Sequence, residues 1–215
     1  MAARRTAAII SVTATATESA NRPLPSPTPL WQAPFATVAA GSAGPQLSGA
    51  WRLFLLGDGS PTRHLRLLVG APVEVELLAM APEPETAAGA PAEVQELEPP
   101  LLRRQVWLNC GGRTLGWAES WWNRDEAETH LRDRRRPIWH SLTEGRTELF
   151  REVDGLARVS AEWLERRFGA AGPFWSRHYR FFRGGRELTV IREVFSPELE
   201  RWLGPAIPTD LQKDS

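Results

Sequence analysis

From Trp51 onward, apolar positions recur with helical and strand periods in turn. Trp51 to Leu56 reads as a short helix ended by Gly57-Asp58-Gly59. Ser60-Pro61-Thr62-Arg63 then reads as a cap opening a second helix through Leu68, with Pro61 suited to its first turn. Val73 to Met80 sets Val73, Val75 and Leu77 against Glu74 and Glu76, the period-two pattern of a half-buried strand. Two hairpins follow, Leu101–Cys110 with Thr114–Trp122 around Gly111-Gly112, and a second pair of strands from Phe174 to Phe195 around Gly184-Gly185. Gly-Gly supplies the positive φ values that a two-residue hairpin loop needs. Between the hairpins, Arg124 to Arg136 has helical character and ends at Pro137, and Pro137 to Leu142 begins a further short helix. Ala161 to Phe168 is a helix ended by Gly169, while Thr147 to Val159 fits neither period. Helical pairs set between antiparallel strands predict an α+β fold, one antiparallel sheet with helices covering one side.

Both hairpins carry charges where apolar residues belong. Side chains alternate across a strand, so Leu102, Arg104, Val106, Leu108 and Cys110 share a face, with Arg104 its only polar member. The neighbouring Arg103 falls with Gln105 and Asn109 and reads as an ordinary solvent-facing arginine. On the second hairpin Glu193 shares a face with Ile191 and Phe195. A carboxylate or guanidinium on such a face is paired within the protein or placed for a ligand, because burying it alone is costly. Arg104 and Glu193 are therefore the candidate poles of a polar site in an apolar pocket, and a direct bridge between them is the structural alternative. Glu119 shares its strand face with Trp117 and Trp121, a further inward-looking carboxylate. Arg180 and Arg192 read as outward, cross-strand partners of acids.

Composition narrows the setting. The 215 residues suffice for one good-sized core, and 26 basic against 26 acidic residues leave no global field favouring nucleic acid or a membrane surface. The one cysteine, Cys110, excludes an internal disulfide framework, fits a reducing compartment and reads as a small core residue. No apolar run approaches the ~20 residues of a membrane span, and a cytoplasmic monomer is expected. Residues 1–48 are rich in Ala, Ser, Thr and Pro and are expected to form a disordered leader, from an over-extended start or a targeting segment. The folded domain is expected over 49–208, interrupted by a loop insertion at 82–100 and followed by a tail at 209–215.

Several chemistries have no motif. His64, His130, His140 and His178 are scattered without metal-ligand spacing, and no cysteine pair supports a zinc or iron site. A phosphate-binding loop, a dinucleotide fingerprint and a nucleophile elbow are all missing. An enzyme built from this inventory would bind an anion in a dry pocket with fixed charges, without metal or nucleotide cofactor.

Four segments, in order, resemble chorismate pyruvate-lyase and the cyanobacterial branch of chorismate lyase-like proteins. They are Ser60-Pro-Thr-Arg63 followed by the Val73 strand, Arg104-Gln-Val-Trp-Leu108, Pro137-Ile-Trp139, and Trp175-Ser-Arg-His-Tyr-Arg180 with Glu193-Val-Phe195. The resemblance spans about Trp51 to Leu203. It implies an antiparallel sheet whose ligand is enclosed by two helix-turn-helix flaps. It further implies cofactor-free conversion of chorismate to 4-hydroxybenzoate and pyruvate, a first step toward a ubiquinone or plastoquinone head group. Carried over, Arg104 would bind the ring carboxylate, Glu193 would lie near the ring hydroxyl of the product, and Ile138 would sit where a flap meets the ligand. Chorismate is a dianion, so a second cation is expected, with Arg63 and Arg177 both eligible. Glu193 is either the base that takes the ring proton or a positioning group.

One departure stands out, since Glu119 occupies a position where many members of that family have an arginine. Its expected consequence is either an altered ligand shell, through pairing with Arg104 or Arg177, or a changed substrate. A rival reading comes from bacterial transcription regulators whose effector domains share this fold and bind small ligands without turnover. That reading predicts an attached DNA-binding domain, and the residues before the fold lack helix-turn-helix character and a basic surface.

Overall fold

The computed structural model describes residues 23–83, 88–133, 135, 137–143 and 148–208. Its elements, in order, are β1 (Thr28–Pro34), α1 (Phe35–Ala39), α2 (Gly49–Leu56), α3 (Pro61–Val69), β2 (Val73–Pro82), a 3₁₀ turn at Ala92–Glu96, β3 (Leu101–Cys110) and β4 (Arg113–Asn123). There follow α4 (Arg124–His130), α5 (Ile138–Thr143), β5 (Phe150–Ser160), α6 (Glu162–Phe168), β6 (Phe174–Arg183), β7 (Arg186–Phe195), a 3₁₀ turn at Pro197–Leu199 and α7 (Glu200–Leu203). The seven strands form one antiparallel sheet in the order β1-β5-β6-β7-β4-β3-β2. The α+β architecture expected from the sequence is the architecture observed. At both hairpins the two glycines have positive φ, 57° and 74° at Gly111-Gly112 and 58° and 77° at Gly184-Gly185, as two-residue turns between right-twisted strands require.

Each face of the sheet has its own cover. On one face, helix pair α2–α3 buries Trp51, Phe54, Leu55 and Leu65 against Val106, Leu108, Cys110 and Phe195. The second pair, α4–α5, packs Ala127, Leu131 and Leu142 on Trp122, Tyr179, Phe181 and Ile191 of the same face. On the other face, Leu164 of α6, with its neighbours Trp163 and Phe168, covers Trp107 and Trp117. The 3₁₀ turn after β2 covers Trp121 and Val190 there. Helix α4 starts at Asn123, whose Oδ1 accepts from the amides of Asp125 and Glu126. It ends at His130, short of the expected Arg136. Leu131 turns into the core, and the run from Arg132 to Arg136 offers no apolar residue to bury before Pro137 disfavours helix at the preceding position.

The leader departs from expectation between residues 23 and 48. Residues 28–34 are an edge strand paired to β5, with Trp31 edge-on to Trp175 at 6.2 Å between ring centroids. Prolines at both ends of β1 suit an edge strand, where a missing N–H faces outward. The disorder expected for residues 1–22 and the tail expected at 209–215 lie outside the described residues.

Arg103 is also a correction. It is buried rather than solvent-facing, because the face it shares with Gln105 is covered. Its Nε donates to Glu119 at 2.8 Å, and Arg192 Nε donates to the other carboxylate oxygen at 2.6 Å. Gln105 donates to Glu119 and exchanges two hydrogen bonds with the backbone of Leu24. Arg103 reaches Ser26 Oγ and Arg192 reaches the Gly89 carbonyl. Both guanidinium groups lie 5.5 Å from the Trp121 ring. Glu119 thus hydrogen-bonds both buried cations, Glu83 adds a second charge 3.9 Å from Arg103 Nε, and the cluster ties the leader and the β2–β3 connection to the sheet.

Removing Glu119 leaves both arginines buried without their shared anion. Glu119→Ala is expected to cost about 3–5 kcal/mol, read from urea denaturation. A loss under 1 kcal/mol would show that the triad carries no stability.

Candidate functional site

The two helix pairs on the first face meet over a seam, and the seam is a cleft of about 420 Å³, part of it open to solvent. Ser60, Pro61 and Thr62, at the start of α3, form one lip; Pro137, Ile138 and Trp139, at the start of α5, form the other. The floor is apolar, with Val75, Val106, Leu108, Ala118, Phe181 and Ile191. The polar groups among the lining side chains include Arg104, Arg151, Tyr179 and Glu193. Apolar walls with a few convergent polar groups are the usual make-up of a small-molecule site.

Strand alternation places Arg104. Its face-mates Val106 and Leu108 belong to the core under α2–α3, so it too projects inward and is 2% exposed. Burial lowers its pKa to about 10, opposed in part by the charge of Asp133. It therefore stays charged at neutral pH. Glu193, also 2% exposed, lies two strands away on β7, where Ala118 and Arg177 flank it in register. Its Oε2 accepts from Arg177 Nε at 2.9 Å and its Oε1 from the Tyr179 hydroxyl at 2.8 Å. Burial first, and the Glu193 charge second, push the Tyr179 phenol far above its ordinary value, so it remains a donor. A carboxylate has about four lone-pair positions, so Glu193 retains capacity for a ligand hydroxyl.

The guanidinium bound to Glu193 is that of Arg177 rather than Arg104, so the direct bridge weighed from the sequence does not form. Arg177 is 1% exposed and lies behind the carboxylate. Its remaining nitrogens donate to the carbonyls of Phe54, Leu55, Gly57 and Gly59, which close the C-terminus of α2 and the turn into α3. All three nitrogens are hydrogen-bonded to protein, and Arg177 does not line the cleft. Arg63 is exposed on α3 and does not line it either. Glu119, expected in the ligand shell, lies on the opposite face in the arginine triad. It pairs with Arg103 and Arg192, not with Arg104 or Arg177. The charge inversion inferred there acts on the far side of the sheet.

Arg151 of β5 was missed by sequence reasoning. Its Nη1 donates to the carbonyls of Asp58 and Gly59 at 2.6 and 2.7 Å, and its guanidinium lies over Tyr179 and Phe181 at 4.5 and 4.6 Å. The available signal was weak, an arginine next to Phe150 in a segment with no readable period.

The histidines do not line this cleft. His64, beside it in α3, has its pKa lowered, chiefly by burial and then by Arg177, while Glu193 pulls it back up. On the other face His178, Glu93 and Asp154 converge, with ligand-type atoms within 4.8 Å of one another. Asp154 there accepts from Arg180, and Glu93 pairs with His178, so the cluster is accounted for by ion pairs. Arg180 and Arg192, read from the sequence as outward cross-strand partners of acids, do pair with acids, but Arg192 is buried rather than outward, because its partner Glu119 is itself inside the covered face.

The class is set by shape: the effector domain of PhnF from Mycobacterium smegmatis superposes with a TM-score of 0.51 at 15% identity, over 67% of this chain and 92% of that one. That similarity shows the shared fold. The family is set by sequence: residues 55–203 match the model "Chorismate pyruvate-lyase Rv2949c-like", and the chain belongs to that family. The uncharacterized protein ycf21 of Cyanophora paradoxa is 31% identical over 148 residues, 68% of this chain and 77% of its own length. That of Porphyra purpurea is 31% identical over 153 residues, 71% of this chain and 83% of its own length. Among the described residues, no helix is long and apolar enough to cross a membrane.

The electrostatics of this site can be read at His64. With its folded pKa below the unfolded value of 6.5, its contribution to stability is present above that value. The contribution is lost as pH falls through the lower folded pKa. Glu193→Gln removes a charge that raises the His64 pKa, so an NMR titration is expected to show it dropping further. An unchanged His64 titration in Glu193→Gln would mean that the two groups are not coupled.

Proposed function

We propose that the protein is a chorismate lyase, converting chorismate to 4-hydroxybenzoate and pyruvate. The observation that carries this reading is the convergence of Arg104 and Glu193 in one apolar, flap-covered cleft, within a chain of the chorismate pyruvate-lyase family. Arg104 binds the ring carboxylate as a buried, charged fork. Glu193 receives the ring hydroxyl, and Ile138 closes the ligand from the α5 lip. The quinone head group is the destination of the product.

The chemistry is an elimination. The proton on the ring carbon bearing the hydroxyl leaves, its electron pair forms the third ring double bond, and the adjacent C–O bond breaks with its pair on enolpyruvate. Enolpyruvate takes up a proton to become pyruvate. Aromatisation supplies the driving force, so the reaction calls for no redox or metal cofactor. Glu193 is oriented by Arg177 and Tyr179, with one oxygen on each. In that position it can hold the hydroxyl and accept the neighbouring ring proton. Positioning by such fixed partners is a major source of rate in a reaction without covalent intermediates.

Purified protein incubated with chorismate is expected to release 4-hydroxybenzoate and pyruvate in equal amounts, followed by chromatography. Arg104→Ala is expected to abolish turnover. Glu193→Ala is expected to lower kcat by roughly 10²–10⁴-fold if the carboxylate is the base, and less if it only positions. Saturable 4-hydroxybenzoate binding without turnover would instead assign a ligand-sensing role of the kind the shared fold allows.

A further inference from the structure

We infer that Arg151 binds the second carboxylate of the ligand, the one on the enolpyruvyl arm; this rests on the chorismate reading above. Arg104 accounts for one charge of a dianion, and neither Arg63 nor Arg177 supplies the other. Arg151 is the second arginine in the wall of the cleft.

Its geometry fits an anion receptor. Nη1 is anchored on the Asp58 and Gly59 carbonyls, and the guanidinium is held over Tyr179 and Phe181. Nε is buried without a hydrogen-bond partner, and no carboxylate pairs with Arg151 among the described residues. The Nε–Nη2 edge thus carries a buried Nε donor with no partner, on a guanidinium fixed through Nη1. That edge is the fork which takes a carboxylate bidentately. A buried donor without a partner is costly, and a ligand carboxylate removes that cost.

Its place along the sheet fits the second charge as well. Arg151 and Arg104 stand on β5 and β3, separated by four inter-strand steps, with Glu193 on the strand midway. At about 4.8 Å per step the two backbones are roughly 19 Å apart, a span that two inward-reaching arginines narrow to the length of a small ligand. The Tyr179 ring under Arg151 carries the hydroxyl that donates to Glu193, so the fork lies one ring from that carboxylate. In chorismate the enolpyruvyl oxygen is on the carbon next to the hydroxyl. With the ring carboxylate on Arg104 and the hydroxyl at Glu193, the side arm extends toward Arg151. The start of α3, whose Ser60 makes no side-chain cap, adds the positive end of a helix dipole on the same side.

The test compares a ligand with the arm and one without it. Wild type, Arg151→Met and Arg151→Lys are titrated with 4-hydroxybenzoate and with the stable dicarboxylate 3-(1-carboxyvinyl)oxybenzoate, and assayed for chorismate turnover. Arg151→Met is expected to weaken the dicarboxylate and raise the chorismate KM by ~100-fold, the order for losing a charge-assisted bidentate pair. Its affinity for 4-hydroxybenzoate should stay within about threefold, and Arg151→Lys, keeping charge but not the fork, should fall between. Equal losses for both ligands would assign Arg151 a structural role and overturn the inference, as would an unchanged dicarboxylate affinity. Turnover by wild type with no effect of either variant sinks Arg151 alone. A wild type that neither turns over chorismate nor binds either ligand sinks the lyase reading beneath it.

Discussion

Sealing a guanidinium inside a protein is costly unless its nitrogens find acceptors, and Arg177 finds them in a way that organises the whole face around it. One nitrogen is given to Glu193 and the others to four carbonyls at the end of α2 and the turn after it. Two of them, Phe54 and Leu55, are orphan acceptors of the kind a helix C-terminus leaves, and Gly57 and Gly59 belong to the turn that follows. The hairpin strand β6 thereby fixes the α2–α3 pair on the sheet, and the same contact holds the Glu193 carboxylate. The second arginine on this turn, Arg151, continues the arrangement by taking the Asp58 and Gly59 carbonyls. Site and scaffold share one set of hydrogen bonds, so the groups facing the cleft are positioned by residues that do not enter it.

The opposite face solves the same problem with reversed stoichiometry. There one carboxylate, Glu119, answers two guanidinium groups, and the surplus donors go to Ser26 and Gly89. These contacts add to the β1–β5 pairing in holding the chain before residue 55 on the sheet. The residues around Leu24 carry little apolar surface, but they satisfy buried polar groups that the sheet cannot satisfy alone. Ion pairs of this kind hold their partners strictly, since either half left alone is penalised more than the pair gains.

Much of this was legible where local rules and tertiary context agree. The Gly-Gly turns, the alternation of Arg104 with apolar neighbours and the Pro61 helix start are all local signals, and each was answered by the structure. The failures have physical causes. In β5 the register shifts between Val153 and Gly155, so the buried residues Val153, Leu156 and Val159 fall three apart and imitate neither a strand nor a clean helix. β1 is an edge strand in a proline-rich leader, held by pairing to β5 rather than by its own pattern. Arg103 looked solvated because its face is polar, and polarity alone cannot reveal that another segment lies on top. Arg151 stayed hidden for the same reason as its strand.

Because neighbouring residues point to opposite faces, Arg103 and Arg104 are one position apart in sequence yet serve different chemistries. The same holds for Arg192 and Glu193 on β7, and for Ala118 and Glu119 on β4. A slip of one residue would move the Glu119 triad into the cleft and the cleft residues into the triad. Two features resist it. The positive-φ turns at Gly111-Gly112 and Gly184-Gly185 set both hairpin registers locally. The cross-strand matches Glu119–Arg192 and Arg177–Glu193 would each become a buried charge without its counter-ion if shifted. In this sheet the ion pairs therefore specify register as much as they add stability, and the cleft inherits its geometry from that specification.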